Sequence, residues 1–418
     1  MYSSVARDGR RLGVARAPAG GIGAVLAGAI IGFAAVANLI NMPGSGSGSS
    51  FVIPLSVALI GTLAGIAFLG PTAPRIMEVP PWLLAFAGFI PGALVAPLTA
   101  YGQEKAIGVL FGALLCLLAA VVVRTRRAAI GFIGAAVFIG FTASVLLLAS
   151  DVSTSGGRAT LEGLNPLGPA RLAGAALALL GFSAIVSLDR VRLGMAAVSL
   201  AALTVPLSAL VGAQTRGPLW AALISVLITS LLAASNGTLK GRRVVLASAV
   251  GTILVTFAAT TFLASGSRLV SLQSDARWAL LRDGLSVATE HPLGVGWGNF
   301  AVTVGPGSDS HTGGRFRYPH NVIVEAASEG GLLGLIALAT LIVGAFLCIY
   351  RSLGDPERRT VPAWLILTVL IYALLNSFVS SDLSGNRLLW AAMGASAGLG
   401  VQGRVSGTWP PMSHRVSM

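Results

Sequence analysis

Apolar runs of about 20 residues, each long enough to cross a bilayer core of about 30 Å, recur along the whole of this chain. Nothing constrains the fold more. In a membrane every backbone polar group must be satisfied within the segment, so such runs become helices. Composition agrees: the 418 residues are 55% hydrophobic and 10% charged, against about 25% charged in an ordinary soluble domain. The chain therefore reads as an all-α polytopic membrane protein, a single integral-membrane domain over 1–418. About twelve spans are expected, near 19–40, 51–70, 81–100, 106–123, 128–149, 171–188, 193–212, 218–234, 244–264, 331–350, 361–378 and 386–402. Pro54, Pro91 and Pro206 within them do not argue against helix, because neighbouring helices can satisfy the groups they free. Gly21, Gly28 and Gly32 suit close helix packing.

The net charge of +13 raises the possibility of a nucleic-acid partner, but its placement argues otherwise. With alternate loops assigned to opposite sides, one face carries 18 basic and five acidic residues and the other carries 10 of each. The whole excess falls on one side, as the positive-inside rule expects of a cytoplasmic surface. Both termini are then expected in the cytoplasm, and the 265–330 loop outside it. Ala35-Val36-Ala37 resembles a signal-peptidase site after an Arg-rich start, yet the apolar run is long for a signal peptide. Cys116 and Cys348 sit in expected spans and read as buried free thiols.

No soluble domain and no repeat is visible. Residues 1–18 and 403–418 read as cytoplasmic tails, and Asn41 to Ser50 and 150–170 as outer loops. The long polar interruption at 268–334 stands apart; it holds three of the four histidines and five arginines. Loops of that length inside a compact bundle are usually functional. Within it, 275–290 reads as an amphipathic helix, with Trp278, Leu281, Leu285 and Ala288 on one apolar stripe. Such a helix would lie on the outer membrane surface or cap the bundle. Pro292 ends it, Gly294 to Phe300 makes a tight glycine turn, and a helix starts near His320 and runs into the span at 331–350.

The polar residues that could do chemistry gather on the outer side. Arg216 precedes Gly217 and Pro218 at a helix N-terminus, a place that already favours anions. Arg277 and Arg282 lie on the amphipathic helix, and His320 leads into a helix bearing Glu325 and Glu329. Arg387 starts the last span after Asp382. Arginines at such depth need an anion, and phosphate matches the guanidinium fork. Each also has a plainer reading: an arginine at a helix end is more often a snorkelling anchor, and Glu325 could simply pair with an arginine. His291 and His311 read as solvated loop residues. The glycine turn lacks the preceding strand of a dinucleotide loop, and no metal-ligand spacing occurs.

Taken together, R-W-A-L-L-R-D-G-L (277–285), H-P-L-G-V-G-W-G-N-F (291–300) and P-H-N-V-I-V-E-A-A-S-E-G-G-L-L-G (319–334) closely resemble the signature loop of the O-antigen ligase and polymerase superfamily. T-R-G (215–217) and S-G-N-R-L-L-W (384–390) support the match. One departure is Leu281, where relatives commonly carry Trp. The resemblance implies a GT-C-like helical fold with the loop between the ninth and tenth spans. It implies a membrane glycosyltransferase that takes a glycan from a polyprenyl diphosphate, such as undecaprenyl diphosphate, at the outer face of the cytoplasmic membrane. The glycan goes to an acceptor hydroxyl on a glycan, lipid or wall polymer, with inversion and with neither metal nor cofactor. Arg216 and Arg277, with Arg282 and Arg387, would hold the diphosphate. His320 would act as base or position the acceptor, supported by Asn321 and Glu325.

Two other readings remain at this level. A polymerase would join lipid-linked repeats to each other, and the loop position leans toward ligase. A transporter would need ionisable residues deep in the spans or an inverted repeat; almost none of the former is seen, and no repeat.

Overall fold

The computed structural model describes residues 21–36, 58, 61–62, 80–95, 97–150, 167–189, 193–239, 273–305, 318–355, 359–380 and 382–405. Outside these fall both tails, the 41–50 loop, nearly all of the expected spans at 51–70 and 244–264, and Arg268 and His311. The described residues fold into helices with no strand among them. They are α1 (Gly21–Val36), a 3-10 segment (Pro81–Phe89), α2 (Ile90–Leu94), α3 (Ala100–Val122), α4 (Arg126–Ala149), α5 (Leu167–Asp189), α6 (Leu193–Gly212) and α7 (Arg216–Ser235). After these come α8 (Gln273–Glu290), α9 (Phe300–Val304), α10 (Val322–Gly354), α11 (Val361–Ser380) and α12 (Arg387–Val405). Seven described helices, α3 to α7, α10 and α11, are long and apolar enough to cross a membrane. The expectation of about twelve is thus met only in part.

The span expected at 81–100 is not one helix. Pro80 and Pro81 start a 3-10 segment, and Pro91 opens the short α2. The chain is extended at Val95, and Thr99 caps α3 by accepting the Gly102 amide at 3.1 Å. Proline lacks the amide that a helix interior needs, so the prolines here segment the run. Pro206, by contrast, stays inside α6.

Small residues set the packing. A Cβ on Gly28 would run into the Ala128 carbonyl, and one on Gly131 into the Val25 carbonyl, so α1 and α4 meet backbone to backbone. This is the close approach that glycine faces permit. Large apolar side chains such as Leu84, Phe138 and Val198 point outward, at 78%, 72% and 71% exposure. On a bundle of spanning helices such residues face lipid.

The helices starting at Ala100, Leu167, Arg216, Val322 and Arg387 begin at the same end of the bundle, around His320. The opposite end carries Arg124, Arg126, Arg127, Arg351 and Arg359. There the Arg359 guanidinium donates to the carbonyls of Leu353 and Asn236.

α8 caps the His320 end, with its buried face turned from the expected stripe. Leu280, Gly284 and Val287 point inward, while Trp278 and Leu285 are 66% and 52% exposed. Gly284 sits against Pro319 and Val324. The helix therefore shows apolar side chains on two sides, one toward the protein and one away from it.

Candidate functional site

The glycine turn is a plug driven into the bundle. Gly294, Gly296 and Gly298 have φ of 82°, 90° and 81°, a region that side chains with a Cβ rarely enter. Trp297 is buried behind them, 6.0 Å from the Phe89 ring, and its indole donates to the Phe89 carbonyl at 3.0 Å. The plug also breaks α10, where Gly331 takes φ 66° and ψ −164°. The freed backbone groups are satisfied across the break. Val295 and Gly296 amides donate to the Ser328 and Glu329 carbonyls at 3.0 and 2.9 Å, and the Leu332 amide donates to Pro292 at 2.8 Å. The glycines thus serve close packing.

His320 precedes the N-cap of α10. Asn321 caps that helix, its side-chain oxygen accepting the Ile323 and Val324 amides at 3.0 and 3.3 Å. His320 itself takes φ +56°, a left-handed conformation that His tolerates better than most residues. That turn swings the imidazole onto Tyr318, with ring centroids 4.2 Å apart. Burial pushes the Tyr318 phenol up to about 12; Asp382 adds to this and Arg171 opposes it. Tyr318 is therefore a neutral hydroxyl near neutral pH and offers a donor beside the imidazole.

Beneath this lies a buried ionic lock. Lys105 Nζ is 2.8 Å from Glu325 Oε1 and 2.7 Å from Glu329 Oε2, and all three side chains are 0% exposed. Glu325 also accepts the Leu383 amide at 3.0 Å, and Glu329 accepts the Gly298 amide at 3.0 Å. One lysine on α3 thereby ties together α10, the glycine plug and the turn before α12. Glu325 is thus engaged by both Lys105 and the Leu383 amide. Sequence reading missed Lys105, which looks like an interfacial anchor before an apolar run. The unpaired signal was the Glu325 and Glu329 couple, one helical turn apart on one face.

The turn before α12 is an Asx turn: Asp382 accepts the Ser384 hydroxyl at 2.8 Å and the Gly385 amide at 2.9 Å. Trp390 pins it by donating to the Leu383 carbonyl at 3.0 Å. Arg387 follows, 1% exposed, its guanidinium 4.6 Å from the Phe111 ring centroid and within electrostatic reach of Asp382.

Arg216 is the first residue of α7 and is half-buried. Arg277 and Arg282 separate on α8. Arg277 is in the first half of α8, and its side chain is outside the described residues. Arg282 is exposed on α8. His291 is exposed, as the sequence suggested. Among the described residues no three His, Cys, Asp or Glu side chains come together as a metal site.

Residues 177–339 match the family model described as O-antigen ligase. Over this stretch, less than half of its length, the chain is similar to the O-antigen ligase family. None of the curated proteins matches the chain. The ligase-family segment contains Arg216, Arg277, Arg282, His320, Asn321, Glu325, Glu329 and the glycine plug. Lys105, Arg171 and Arg387 lie outside it in sequence, yet the fold brings Lys105 against its acidic residues. The ligase-family segment is therefore completed by helices that precede and follow it.

Proposed function

We propose that this protein is an inverting glycosyltransferase of the ligase type, using a polyprenyl-diphosphate glycan as donor and an acceptor hydroxyl at the outer face of the cytoplasmic membrane. The observation that carries the reading is the position of His320. It sits on a left-handed turn inside the ligase-family segment, at the end where the N-termini of α3, α5, α7, α10 and α12 gather. Helix N-termini favour anions, and a leaving diphosphate gains negative charge as its bond to the sugar breaks. Arg216 and Arg277 bind that charge, with Arg387 set deeper. Arg282 is exposed and is the weakest of the four candidates. His320 accepts the proton of the attacking hydroxyl, which bonds to the anomeric carbon as the lipid diphosphate departs. The arginine count on the opposite end supports placing the His320 end outside the cytoplasm.

Reconstitution of the purified protein with a polyprenyl-diphosphate glycan tests the reaction. A single adduct on a foreign acceptor is expected of a ligase. A ladder of lengthening products would make it a polymerase, and no transfer to any acceptor would refute the reading.

Two variants of that assay probe its chemistry. Arg216→Lys keeps the charge but loses the two-pronged geometry, so transfer should fall by about tenfold or more. Unchanged transfer would reduce Arg216 to an anchor. Chelators should leave the rate unaltered, since arginines supply the cationic stabilisation; inhibition reversed by added Mg²⁺ would replace that scheme with a metal-assisted one.

A further inference from the structure

The outer ends of α5 and α7 lie side by side. A Cβ on Gly174 of α5 would sit 3.0 Å from the Pro218 carbonyl of α7. Both helices start at the His320 end, so the opening turns of each are neighbours. Arg171 comes one turn before Gly174, and Thr215 and Arg216 come just before Pro218. The main chain at Arg171 is held in place, because the Tyr372 hydroxyl donates to its carbonyl at 2.6 Å.

Two polar groups here are uncommitted. Thr215 is the N-cap of α7 and is 7% exposed, yet its hydroxyl makes no hydrogen bond among the described residues. The reason is in the sequence. An N-cap threonine ordinarily accepts the amide of the second or third helical residue, and the third here is Pro218, which has none. The Thr215 side chain therefore does not cap α7. The second group is Arg171 Nε, which is buried and has no hydrogen-bond partner among the described residues. Leaving a buried donor unsatisfied is costly, and more so for a charged one. Two such donors at adjacent helix ends match the chemistry of an acceptor-rich anion. Arg171 also reaches Tyr318 electrostatically, so the site borders the tyrosine that lies against His320.

We infer that Arg171 and the Thr215 hydroxyl, together with the Arg216 end of α7, form a cradle for one phosphate of a diphosphate. This rests on the donor chemistry proposed above and adds two ligands to it. Arg171 supplies a charged fork from α5, while the Thr215 hydroxyl supplies a neutral donor to the same oxygens. The cradle spans two helices, so it reads the diphosphate group whether or not a lipid is attached. A free pyrophosphate and a lipid headgroup share this chemistry, and the test separates them.

The test measures binding to the purified full-length protein in detergent, apart from any transfer assay. Inorganic pyrophosphate and farnesyl diphosphate serve as probes, with inorganic phosphate for comparison. The wild type should bind both diphosphates more tightly than phosphate, and farnesyl diphosphate more tightly if a lipid headgroup is the natural occupant. Equal binding of the two would assign the cradle to the diphosphate alone. Arg171→Ala should weaken both by about tenfold, and Arg171→Lys should recover only part of the loss. Thr215→Val should weaken binding by about fivefold and Thr215→Ser restore it, since only the hydroxyl differs in kind. Thermal unfolding in the same detergent checks that each variant is folded. Wild-type affinity in a folded Arg171→Ala protein, or no diphosphate binding by the wild type, overturns the inference. Intact diphosphate binding without glycan transfer would instead overturn the transferase reading and leave the cradle standing.

Discussion

Lys105→Met should be among the most damaging single substitutions in the chain. Lys105 is enclosed with Glu325 and Glu329 at 2.8 and 2.7 Å, with all three side chains at 0% exposure. Removing the cation leaves two carboxylates facing each other without water. Breaking a buried ion pair from one side costs about 3–5 kcal/mol, a large share of the stability of most folds. The damage should spread, because the same carboxylates hold the amides of Leu383 and Gly298. The variant should unfold at a markedly lower temperature in detergent and accumulate poorly. The triple variant Lys105→Met, Glu325→Gln, Glu329→Gln should recover much of that loss. Glutamine keeps an oxygen for each amide while removing both charges, and replacing all charged partners is far cheaper than removing one. An unfolding temperature for Lys105→Met equal to the wild type would show that the lock contributes nothing.

His320 should give the largest loss of transfer with the smallest loss of fold. General acid–base catalysis by a positioned side chain is worth about 100- to 10,000-fold, and His320→Ala should lose transfer on that scale while still inserting into membranes. The backbone complicates alanine, since φ at this position is +56°, a region that His, Asn and Asp enter more readily than other residues bearing a Cβ. His320→Asn removes the ring and tolerates the left-handed turn. It should therefore match the activity loss of His320→Ala with a smaller fall in unfolding temperature. Transfer at the wild-type rate in either variant would remove His320 from the chemistry. Because Asn321, and not His320, caps α10, both substitutions leave the helix start intact.

Much of the local structure around the site was legible in the chain. The helix expected at 275–290 is α8, Pro292 follows its end, and the helix expected from His320 is α10. These succeed because proline, glycine and an N-cap asparagine act on their own backbone neighbours. The face of α8 was not legible. Trp278 and Leu285 form the better stripe by hydrophobicity, but the protein-facing side is chosen by Gly284, which alone lets the helix approach Pro319. The span at 81–100 was misread as continuous, since its prolines were weighed one at a time and not as a series.

The sequence by itself determined that this chain spans a membrane, which end of the bundle is arginine-rich, and that one loop carries the ligase-family pattern. Each of these depends on composition or on short runs of neighbouring residues. Only the tertiary structure decided which polar groups share a site. Lys105 is joined to Glu325 and Glu329, Gly174 of α5 lies against Pro218 of α7, and Leu280, not Trp278, is the buried side of α8. Such pairings depend on which helices lie side by side and how each is rotated. In a bundle packed through glycine contacts, that rotation is set by where backbones can touch, and no local pattern of hydrophobicity encodes it.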